Sequence, residues 1–396
     1  MKKNWKRVTI GEVCDIRGGG TPSKSVPRYW KGSIPWVSPK DMKSEIIEDS
    51  IDHVCPEALE NSAGSLIPGG SVLVVVRSGI LARTVPIAIA GCDLSINQDI
   101  KALCPSASLL SRYLWYVLAG NERHLLGLVS RGATVHRLAT DHIRSLSFEL
   151  PTLSDQRRII AILDEAFAGI ATATANAETN HKNARALFES HLQSVFTERG
   201  VEWAEQPLGE TCEVINGGTP KTGIPQYWDG QHRWVTPAEM GKRLSPYISE
   251  TQRTISDLGL RNSSAQLLPP HSVILSSRAP IGHLVINTEP MATNQGCKGL
   301  VPRGQLQHKF LYYYLSSIRG VLNALGTGAT FKELSGGKLK AVRVAVAPLR
   351  EQHGIVAKLD ALSEETQHLA TLYERKLAAL AALKRSLLHQ AFSGNL

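Results

Sequence analysis

The chain carries the segment Ile10-Gly11-Glu12-Val13-Cys14-Asp15-Ile16-Arg17-Gly18-Gly19-Gly20-Thr21-Pro22, and a second version follows as Leu208-Gly209-Glu210-Thr211-Cys212-Glu213-Val214-Ile215-Asn216-Gly217-Gly218-Thr219-Pro220. Without a gap, residues 10–42 and 208–240 share 15 identities in 33 positions, whereas composition alone would give roughly two. Solenoid proteins repeat units of about 20–50 residues, much shorter than the distance between these copies. The sequence therefore predicts one whole module used twice.

The similarity continues to the end of both copies. The matching segments, each followed by its counterpart, are Pro27-Arg28-Tyr29-Trp30 and Pro225-Gln226-Tyr227-Trp228, Trp36-Val37-Ser38-Pro39 and Trp234-Val235-Thr236-Pro237, Arg77 and Arg278, Asn97-Gln98 and Asn294-Gln295, Lys101 and Lys298, Gly132-Ala133-Thr134 and Gly328-Ala329-Thr330, and residues 156–164 and 352–360. Both copies therefore have the same order of segments.

Each copy changes its composition once. Residues 1–150 are rich in Gly, Pro and Trp; short β-branched runs at 71–76 and 85–89 predict strands, and residues 110–126 predict a helix. After Pro151 glycine and proline nearly vanish, so a long helix is predicted, with Thr152 or Ser154 as its N-cap. Its predicted buried seam consists of Leu153, Gln156, Ile160, Leu163, Phe167, Ile170, Thr174 and Ala177.

The second copy ends in a similar helix, whose predicted seam is Leu359, Leu362, Thr366, Leu369, Tyr373, Lys376, Leu380, Leu383 and Leu387. Each helix could run for about 45 residues, or about 67 Å, which exceeds what a small domain needs. The predicted fold class is α+β. Two mixed α/β domains, 1–150 and 201–347, are joined by two long antiparallel helices, 151–200 and 348–396, which form a coiled coil with a pseudo-twofold internal repeat. The alternative is that each helix packs only on its own domain.

The composition is that of a globular protein. The chain has 396 residues, 44 basic and 35 acidic side chains, a net charge of +9 and 42% hydrophobic residues. Uninterrupted apolar runs are far shorter than the roughly 20 residues of a membrane span, and the basic start lacks the apolar segment of a signal peptide. The sequence therefore predicts a cytoplasmic protein, with nucleic acid as one class of partner.

Signatures of catalysis are missing from the sequence. Gly18 to Ser25 ends like a phosphate-binding loop, but Pro22 lies inside it and no glycine stands immediately before Lys24. No dinucleotide-binding, zinc-protease, nucleophile-elbow, amino-methyltransferase or helicase motif occurs. The six cysteines lack zinc-ligand spacing, which favours reduced, mostly buried thiols. We therefore predict no catalytic residue, metal or cofactor in this chain.

The duplicated Gly-Gly-Thr-Pro segments, Tyr-Trp and Trp-Val-x-Pro motifs, Asn-Gln pairs, Gly-Ala-Thr turns and Pro-to-Gln helix openings resemble the specificity subunit of type I restriction-modification systems. The resemblance covers essentially the whole chain. It implies two target recognition domains, each preceding a helical spacer, that read a bipartite and asymmetric sequence in double-stranded DNA.

The resemblance also implies partners. Two methyltransferase subunits would dock on the helices and supply S-adenosylmethionine and adenine N6 methylation. Restriction subunits would join them and add ATP- and Mg-dependent translocation and cleavage. This chain would then be the non-catalytic DNA-binding subunit.

The repeat separates two kinds of DNA contact. If the two halves of the target differ in sequence, residues identical in both copies cannot account for the difference. These residues are therefore candidates for fold or phosphate contacts, which carry little sequence information. They are Gly19 and Gly217, Thr21 and Thr219, Arg77 and Arg278, Lys101 and Lys298, and Thr134 and Thr330.

Base-reading residues are expected among the diverged polar positions beside this scaffold. Arg and Lys suit guanine, and Gln suits adenine. The candidates are Lys24, Arg28, Lys40, Lys43, Arg83 and His136 in the first copy, and Lys221, Gln226, Lys242, Arg243, His283 and Lys332 in the second. The alternative for each is a solvated surface side chain.

Two shared motifs are predicted to be structural rather than base-reading. The Asn-Gln pairs occur in both copies, and the turn preference of Asn favours a turn or strand end. Trp30, Trp36, Trp228 and Trp234 stand among Pro and Val, which favours core packing over base stacking.

Two other function classes remain open at this point. A coiled-coil scaffold could use repeated domains to bind protein or glycan, and its binding would lack the steep salt dependence of DNA binding. An enzyme with unrecognised motifs would transfer a methyl group as an isolated chain, which we do not expect.

Overall fold

The computed structural model describes residues 5–62, 64–243, 245–328 and 332–392. The chain divides into two compact units. The first unit holds the residues up to Glu178 together with those from Arg375 onward, and the second runs from Thr179 to Glu374. Each unit therefore contains one globular part and portions of both long helices.

The first globular part is built from short strands and helices. Its strands are β1 (Lys6–Thr9), β2 (Cys14–Gly18), β3 (Ile34–Val37), β4 (Ile46–Ile47), β5 (Asp52–Val54), β6 (Val72–Val75), β7 (Arg77–Ser78), β8 (Ile87–Ala90), β9 (Ser95–Ile96), β10 (Ile100–Pro105), β11 (His136–Arg137) and β12 (Ser147–Leu150). Its helices are α1 (Ile10–Val13), α2 (Pro56–Glu60), α3 (Ser111–Gly120), α4 (Glu122–Gly127) and α5 (Thr140–Arg144), and the long helix α6 (Leu153–Thr197) follows. Short 3-10 helices cover Pro27–Trp30 and Gly79–Ala82.

The second globular part repeats this order. Its strands are β13 (Ala204–Pro207), β14 (Cys212–Asn216), β15 (Trp228–Val235), β16 (Tyr247–Ile248), β17 (Arg253–Ile255), β18 (Val273–Ser276), β19 (Leu284–Asn287), β20 (Met291–Thr293), β21 (Cys297–Pro302) and β22 (Arg343–Val346). Its helices are α7 (Leu208–Thr211), α8 (Pro237–Met240), α9 (Asp257–Arg261), α10 (His308–Ser317), α11 (Arg319–Leu325) and α12 (Gly336–Ala341), and the long helix α13 (Leu349–Phe392) follows. A 3-10 helix covers Pro225–Tyr227.

The same sheets form in both units. A five-stranded sheet has the order β2-β10-β6-β8-β4 in the first unit and β14-β21-β18-β19-β16 in the second. A three-stranded sheet has the order β5-β3-β9 and β17-β15-β20. Strands β6 and β18 lie inside the five-stranded sheets and are buried along their whole length, as continuous apolar runs predict. The predicted duplication and fold class are thereby confirmed.

A buried glutamine fixes the start of each long helix. The Gln156 side chain is fully buried; its Oε1 accepts from Leu110 N at 2.8 Å, and its Nε2 donates to Ser108 O and Pro151 O. In the second unit Gln352 makes the same three kinds of bond, to Gln307 N, Gln305 O and Ala347 O. The start of α6 is capped by Thr152, whose Oγ1 accepts from Asp155 N at 3.2 Å, so Thr152 rather than Ser154 is the N-cap.

An aspartate eight residues after the buried glutamine makes a second anchor for each long helix. Asp164 Oδ1 accepts from Tyr116 Oη at 2.5 Å and pairs with Arg112 at 2.8 Å. In the second unit Tyr313 and Lys309 contact Asp360 in the same way, at 2.5 and 2.6 Å. Each long helix is therefore tied to its globular part by a buried amide and a charged hydrogen-bond network.

The long helices pair antiparallel within each unit. In the first unit the Lys384 ammonium lies 4.9 Å from the centre of the Phe167 ring. In the second unit His181 Nε2 lies 3.1 Å from Glu374 Oε1, and further along α6 Phe188 and Glu189 line a small cavity with Ser363 of α13. Within the second unit residue numbers therefore rise along one helix as they fall along the other, as the sequence predicts.

The predicted seam of α6 is correct, because every predicted position is buried or half-buried. The seam of α13 is wrong at two places, since Lys376 is exposed and Leu383 is 46% exposed. Leu377 is half-buried instead, and Leu388 and Ala391 are buried. An α-helix drifts by about 20° per heptad against a strict seven-residue repeat, so the buried face moves one position along the sequence.

Two smaller differences from the sequence predictions also arise. The helix predicted over 110–126 is two helices, α3 and α4, which meet at Asn121. Among the described helices, α6 is long and apolar enough to cross a membrane by length and composition alone, with a mean hydropathy of 1.3 over its most apolar 18 residues. The same helix carries Asp164, which is paired with Arg112.

Candidate nucleic-acid interface

Two parallel strands end at the same edge of each three-stranded sheet. In the first unit β3 pairs with β9 through Val37 and Ile96, and in the second β15 pairs with β20 through Val235 and Thr293. Parallel strands place their carboxyl ends together. The segment that follows β9 or β20 is the Asn-Gln pair, which therefore lies at this edge in both units.

The Gly-Gly-Thr-Pro loop is bound to that edge by its backbone. Gly20 N donates to Ile96 O at 3.0 Å, and Gly218 N donates to Thr293 O at 2.8 Å. A Cβ at Gly19 would lie 1.9 Å from Ile96 O, and a Cβ at Gly217 would lie 1.9 Å from Asn294 O. Glycine is required here because the two backbones touch.

A pair of tryptophans packs against the Gly-Gly-Thr-Pro loop in each unit. The rings of Trp30 and Trp36 meet edge to face at 5.0 Å, and those of Trp228 and Trp234 at 5.1 Å. Trp36 Nε1 donates to Gly20 O, and Trp234 Nε1 donates to Gly218 O. The predicted packing role of these tryptophans is confirmed.

The Asn-Gln pair forms a turn, as predicted. Asn97 Oδ1 accepts from Asp99 N at 3.0 Å, and Asn294 Oδ1 accepts from Gly296 N at 2.8 Å. The shared threonines bind this turn: Thr21 Oγ1 donates to Gln98 Oε1 at 2.6 Å, and Thr219 Oγ1 accepts from Asn294 Nδ2 at 2.9 Å. The turn and the Gly-rich loop therefore form one rigid platform.

A basic cleft of about 450 Å³ lies beside this platform in the first unit. Its lining includes Arg77, Gln98, Lys101 and Arg137. Arg77 pairs with Arg137 across the β7–β11 ladder, and Lys101 lies opposite Gly18 in the β10–β2 ladder. The Asp99 carboxylate is near, since its Oδ1 lies 3.7 Å from Arg77 Nε. The shared Arg77 and Lys101 thus line the same cleft.

The second unit places the corresponding residues together with a different charge. Arg278 Nε lies 3.2 Å from Glu333 Oε2, and the backbones of the two residues form a bridge. Lys298, opposite Asn216, is 7% exposed. Burial is the main cause that lowers the pKa of Lys298, and neighbouring Arg278 lowers it further, while Glu333 opposes both effects.

The other predicted residues of the first unit are spread more widely. Thr134 is exposed in the loop before β11, and His136 pairs with Ser78, so both stand next to the cleft. Arg83 is exposed just after the 3-10 helix Gly79–Ala82. The remaining predicted residues lie on loops of the three-stranded sheet: Lys24, Lys40 and Lys43 are exposed, and Arg28 pairs with Glu57 at 2.7 Å.

The second unit holds its diverged candidates in three places. Lys221 and Gln226 are exposed around the Gly-rich loop and its 3-10 helix, and Lys242 is exposed after α8. Lys332 is exposed next to Glu333, and its backbone carbonyl accepts a hydrogen bond from Ala279 N. Thr330 lies outside the described residues.

Arg243 and His283 make contacts within their own unit. Arg243 Nη2 donates to Glu250 O at 2.7 Å and lies 3.6 Å from the carboxylate of buried Glu239. Burial, followed by the charge of Arg319, lowers the pKa of His283. Base reading by these two residues stays a prediction.

The predicted contacts did not include Gln98 and Arg137, which line the cleft, or Glu333, which pairs with Arg278. Gln98 belongs to a pair that the turn preference explains. Arg137 and Glu333 follow the Gly-Ala-Thr turns, and their opposition to the shared arginines depends on strand pairing that the sequence does not display. The sequence does show that Arg137 and Glu333 are corresponding residues, because each stands three positions after the threonine of the shared Gly-Ala-Thr motif.

The cysteines are free thiols, of which Cys14, Cys212 and Cys297 are buried and the other three are half-buried. Burial raises the pKa of each buried thiol to about 12. Within the described ranges no group of three or more His, Cys, Asp or Glu side chains could hold a metal ion.

Residues 2–180 and 200–375 each match the sequence profile of the Type I restriction modification DNA specificity domain. The two matches correspond to the two copies of the repeat and cover most of the chain. The chain therefore belongs to this family of DNA specificity domains.

Relatives in the family are specificity subunits. A segment covering 41% of this chain is 36% identical, over 163 residues, to the specificity subunit of the type I restriction enzyme EcoR124I/EcoR124II from Escherichia coli, of which it covers 40%. A second relative, the MjaIX specificity subunit of Methanocaldococcus jannaschii, is 32% identical over 160 residues, which are 40% of this chain and 37% of the relative. The matches therefore span about two fifths of the length of these curated relatives.

Solved structures share the fold over nearly the whole chain. One, from a study of complex assembly and conformational transition of the type I R-M system, has a TM-score of 0.81 at 20% identity and covers 99% of this chain and 98% of its own. The HsdS subunit of Thermoanaerobacter tengcongensis has a TM-score of 0.63 at 20% identity and covers 100% of this chain and 98% of its own. These likenesses establish the fold.

Proposed function

We propose that this chain is the sequence-specific DNA-binding subunit of a type I restriction-modification complex and reads a bipartite target, one half with each unit. The observation that carries the proposal is the rigid platform that both units repeat, with a basic cleft beside it in the first unit. Arg77 and Lys101 line that cleft, whereas in the second unit Arg278 pairs with Glu333 and Lys298 is buried. Cations suit phosphates, and the different residues beside the two platforms suit two different half-sites.

The assignments of target recognition domains to 1–150 and 201–347, and of helical spacers to 151–200 and 348–396, belong to this proposal. The helices would dock two methyltransferase subunits, and restriction subunits would join the complex. Leu187 and Leu372 on the long helices are 54% and 51% exposed, and a docked subunit would cover such side chains.

Catalysis would belong to the partners. S-adenosylmethionine, ATP and Mg would be bound by the methyltransferase and restriction subunits, and this chain would supply DNA recognition in the cytoplasm without a cofactor of its own. The family to which the chain belongs and the basic cleft of the first unit support this proposal.

The test is a footprint of the full chain assembled with its methyltransferase subunits on duplex DNA. We expect two short protected tracts separated by an unread gap, with affinity that falls steeply as salt is added because bound phosphates release counterions. One continuous protected tract would contradict the bipartite reading. Binding without salt dependence would favour the scaffold that binds protein or glycan.

Exchange of one domain tests whether each unit reads its own half-site. Replacing residues 201–347 with the corresponding segment of another family member should change one half-site and leave the other unchanged, because each unit carries its own three-stranded sheet and platform. Mapping of methylated positions reads out both half-sites. Alteration of both half-sites by this single exchange would refute the assignment.

A further inference from the structure

Arg137 and Glu333 occupy equivalent positions in the two units. Arg137 exchanges backbone hydrogen bonds with Ser130, and Glu333 exchanges them with Thr327. The next residue in each unit, Leu138 or Leu334, donates its N–H to the carbonyl of the residue before the shared arginine. The two side chains therefore face Arg77 and Arg278 from the same place in the fold.

The charge at this position is inverted between the units. In the first cleft Arg77 faces Arg137, with Lys101 in the same lining. Like charges placed directly opposite each other on neighbouring strands destabilise the pair. Asp99 offsets only part of this charge, because it lies 3.7 Å from Arg77 and also accepts a hydrogen bond from Asn97 Nδ2.

At the equivalent place in the second unit, the charge of the shared arginine is neutralised. Glu333 lies 3.2 Å from Arg278 and occupies the place of Arg137. Lys298 is 7% exposed, so its ammonium is largely withdrawn from an incoming ligand. The residue that matches Asp99 is Gly296, which brings no further charge.

We propose that the first cleft binds a backbone phosphate of DNA through Arg77, Lys101 and Arg137, and that Glu333 prevents Arg278 from making the equivalent contact. A phosphodiester relieves the repulsion between the paired arginines and matches the forked geometry of a guanidinium. Arg137 is then a phosphate contact of the first unit only, whereas the repeat predicts phosphate contacts among the residues that both copies share. This inference rests on the proposed DNA-binding function.

The experiment measures DNA affinity of the full chain assembled with its methyltransferase subunits, on the footprinted duplex, over a range of KCl concentrations. Each phosphate contact adds about 0.9 to the slope of log affinity against log salt. The Arg137→Glu variant should lower the slope by about 0.9, and the Glu333→Gln variant should raise it by about 0.9 because Arg278 is freed. A gain of slope cannot result from misfolding.

Arg123 is exposed on α4 and lies outside the cleft lining, so Arg123→Glu is the matched control for the charge change in Arg137→Glu. Glu364→Gln, exposed on α13, is the control for the second variant. The methylated sequence should stay the same in Arg137→Glu. An unchanged slope, or a changed first half-site that shows base reading by Arg137, would overturn the inference. If the wild-type complex did not bind duplex DNA, the proposed function would fail as well.

Discussion

Adding four residues to each long helix, after Ala175 in α6 and after Ala378 in α13, is expected to lengthen the unread gap in the DNA target by about two base pairs. Four residues add about 6 Å and slightly more than one helical turn, so the buried faces keep nearly the same direction. Helix α6 begins in the first unit and ends in the second, and α13 returns from the second to the first. Methylation of a series of duplexes that differ only in gap length measures the preference.

The single insertion after Ala175 is the matched comparison. It lengthens α6 but not its antiparallel partner, so the contacts of Phe167 with Lys384 and of His181 with Glu374 cannot both be kept. We expect it to abolish specific binding. A double insertion that methylates the original gap with wild-type preference would show that the helices do not set the spacing.

Replacing Gln156 with alanine is expected to lower the free energy of unfolding by about 3 kcal/mol, since it strands a buried N–H and two carbonyls at once. For a unit of this size the melting temperature should fall by roughly 6–12 °C. Gln352→Ala should have a similar effect, because Gln352 makes the same set of bonds. Thermal unfolding followed by circular dichroism provides the measurement.

The exposed Gln367 on α13 provides the control for that measurement. Gln367→Ala removes a side chain of the same type and should change the melting temperature little. Equal shifts for Gln156→Ala and Gln367→Ala would show that the buried amide does not anchor the helix to its globular part.

The repeat made much of this fold predictable. The Asn turn was assigned a structural role because it occurs in both copies, and the Trp pair because it stands among Pro and Val; the contacts of both are the same in the two units. The helix starts were also predictable, since Pro151 and the capping Thr152 stand immediately before a periodic apolar pattern.

Features that depend on distant pairing were not predictable. The seven-residue pattern placed Lys376 and Leu383 in the seam, but helical drift exposes them. Arg243 looked like a free cation, yet Glu239, four residues earlier and buried by the fold, lies beside it. The pairing of Arg77 with Arg137, and of Arg278 with Glu333, joins residues that are far apart in sequence.

Sequencing of methylated adenines in the DNA of a host with and without this gene tests the bipartite DNA target most directly. The gene should add methylation at one asymmetric target, composed of two short specified tracts separated by a gap of constant length. The same methylation in both hosts, or methylation within a single uninterrupted sequence, would contradict it.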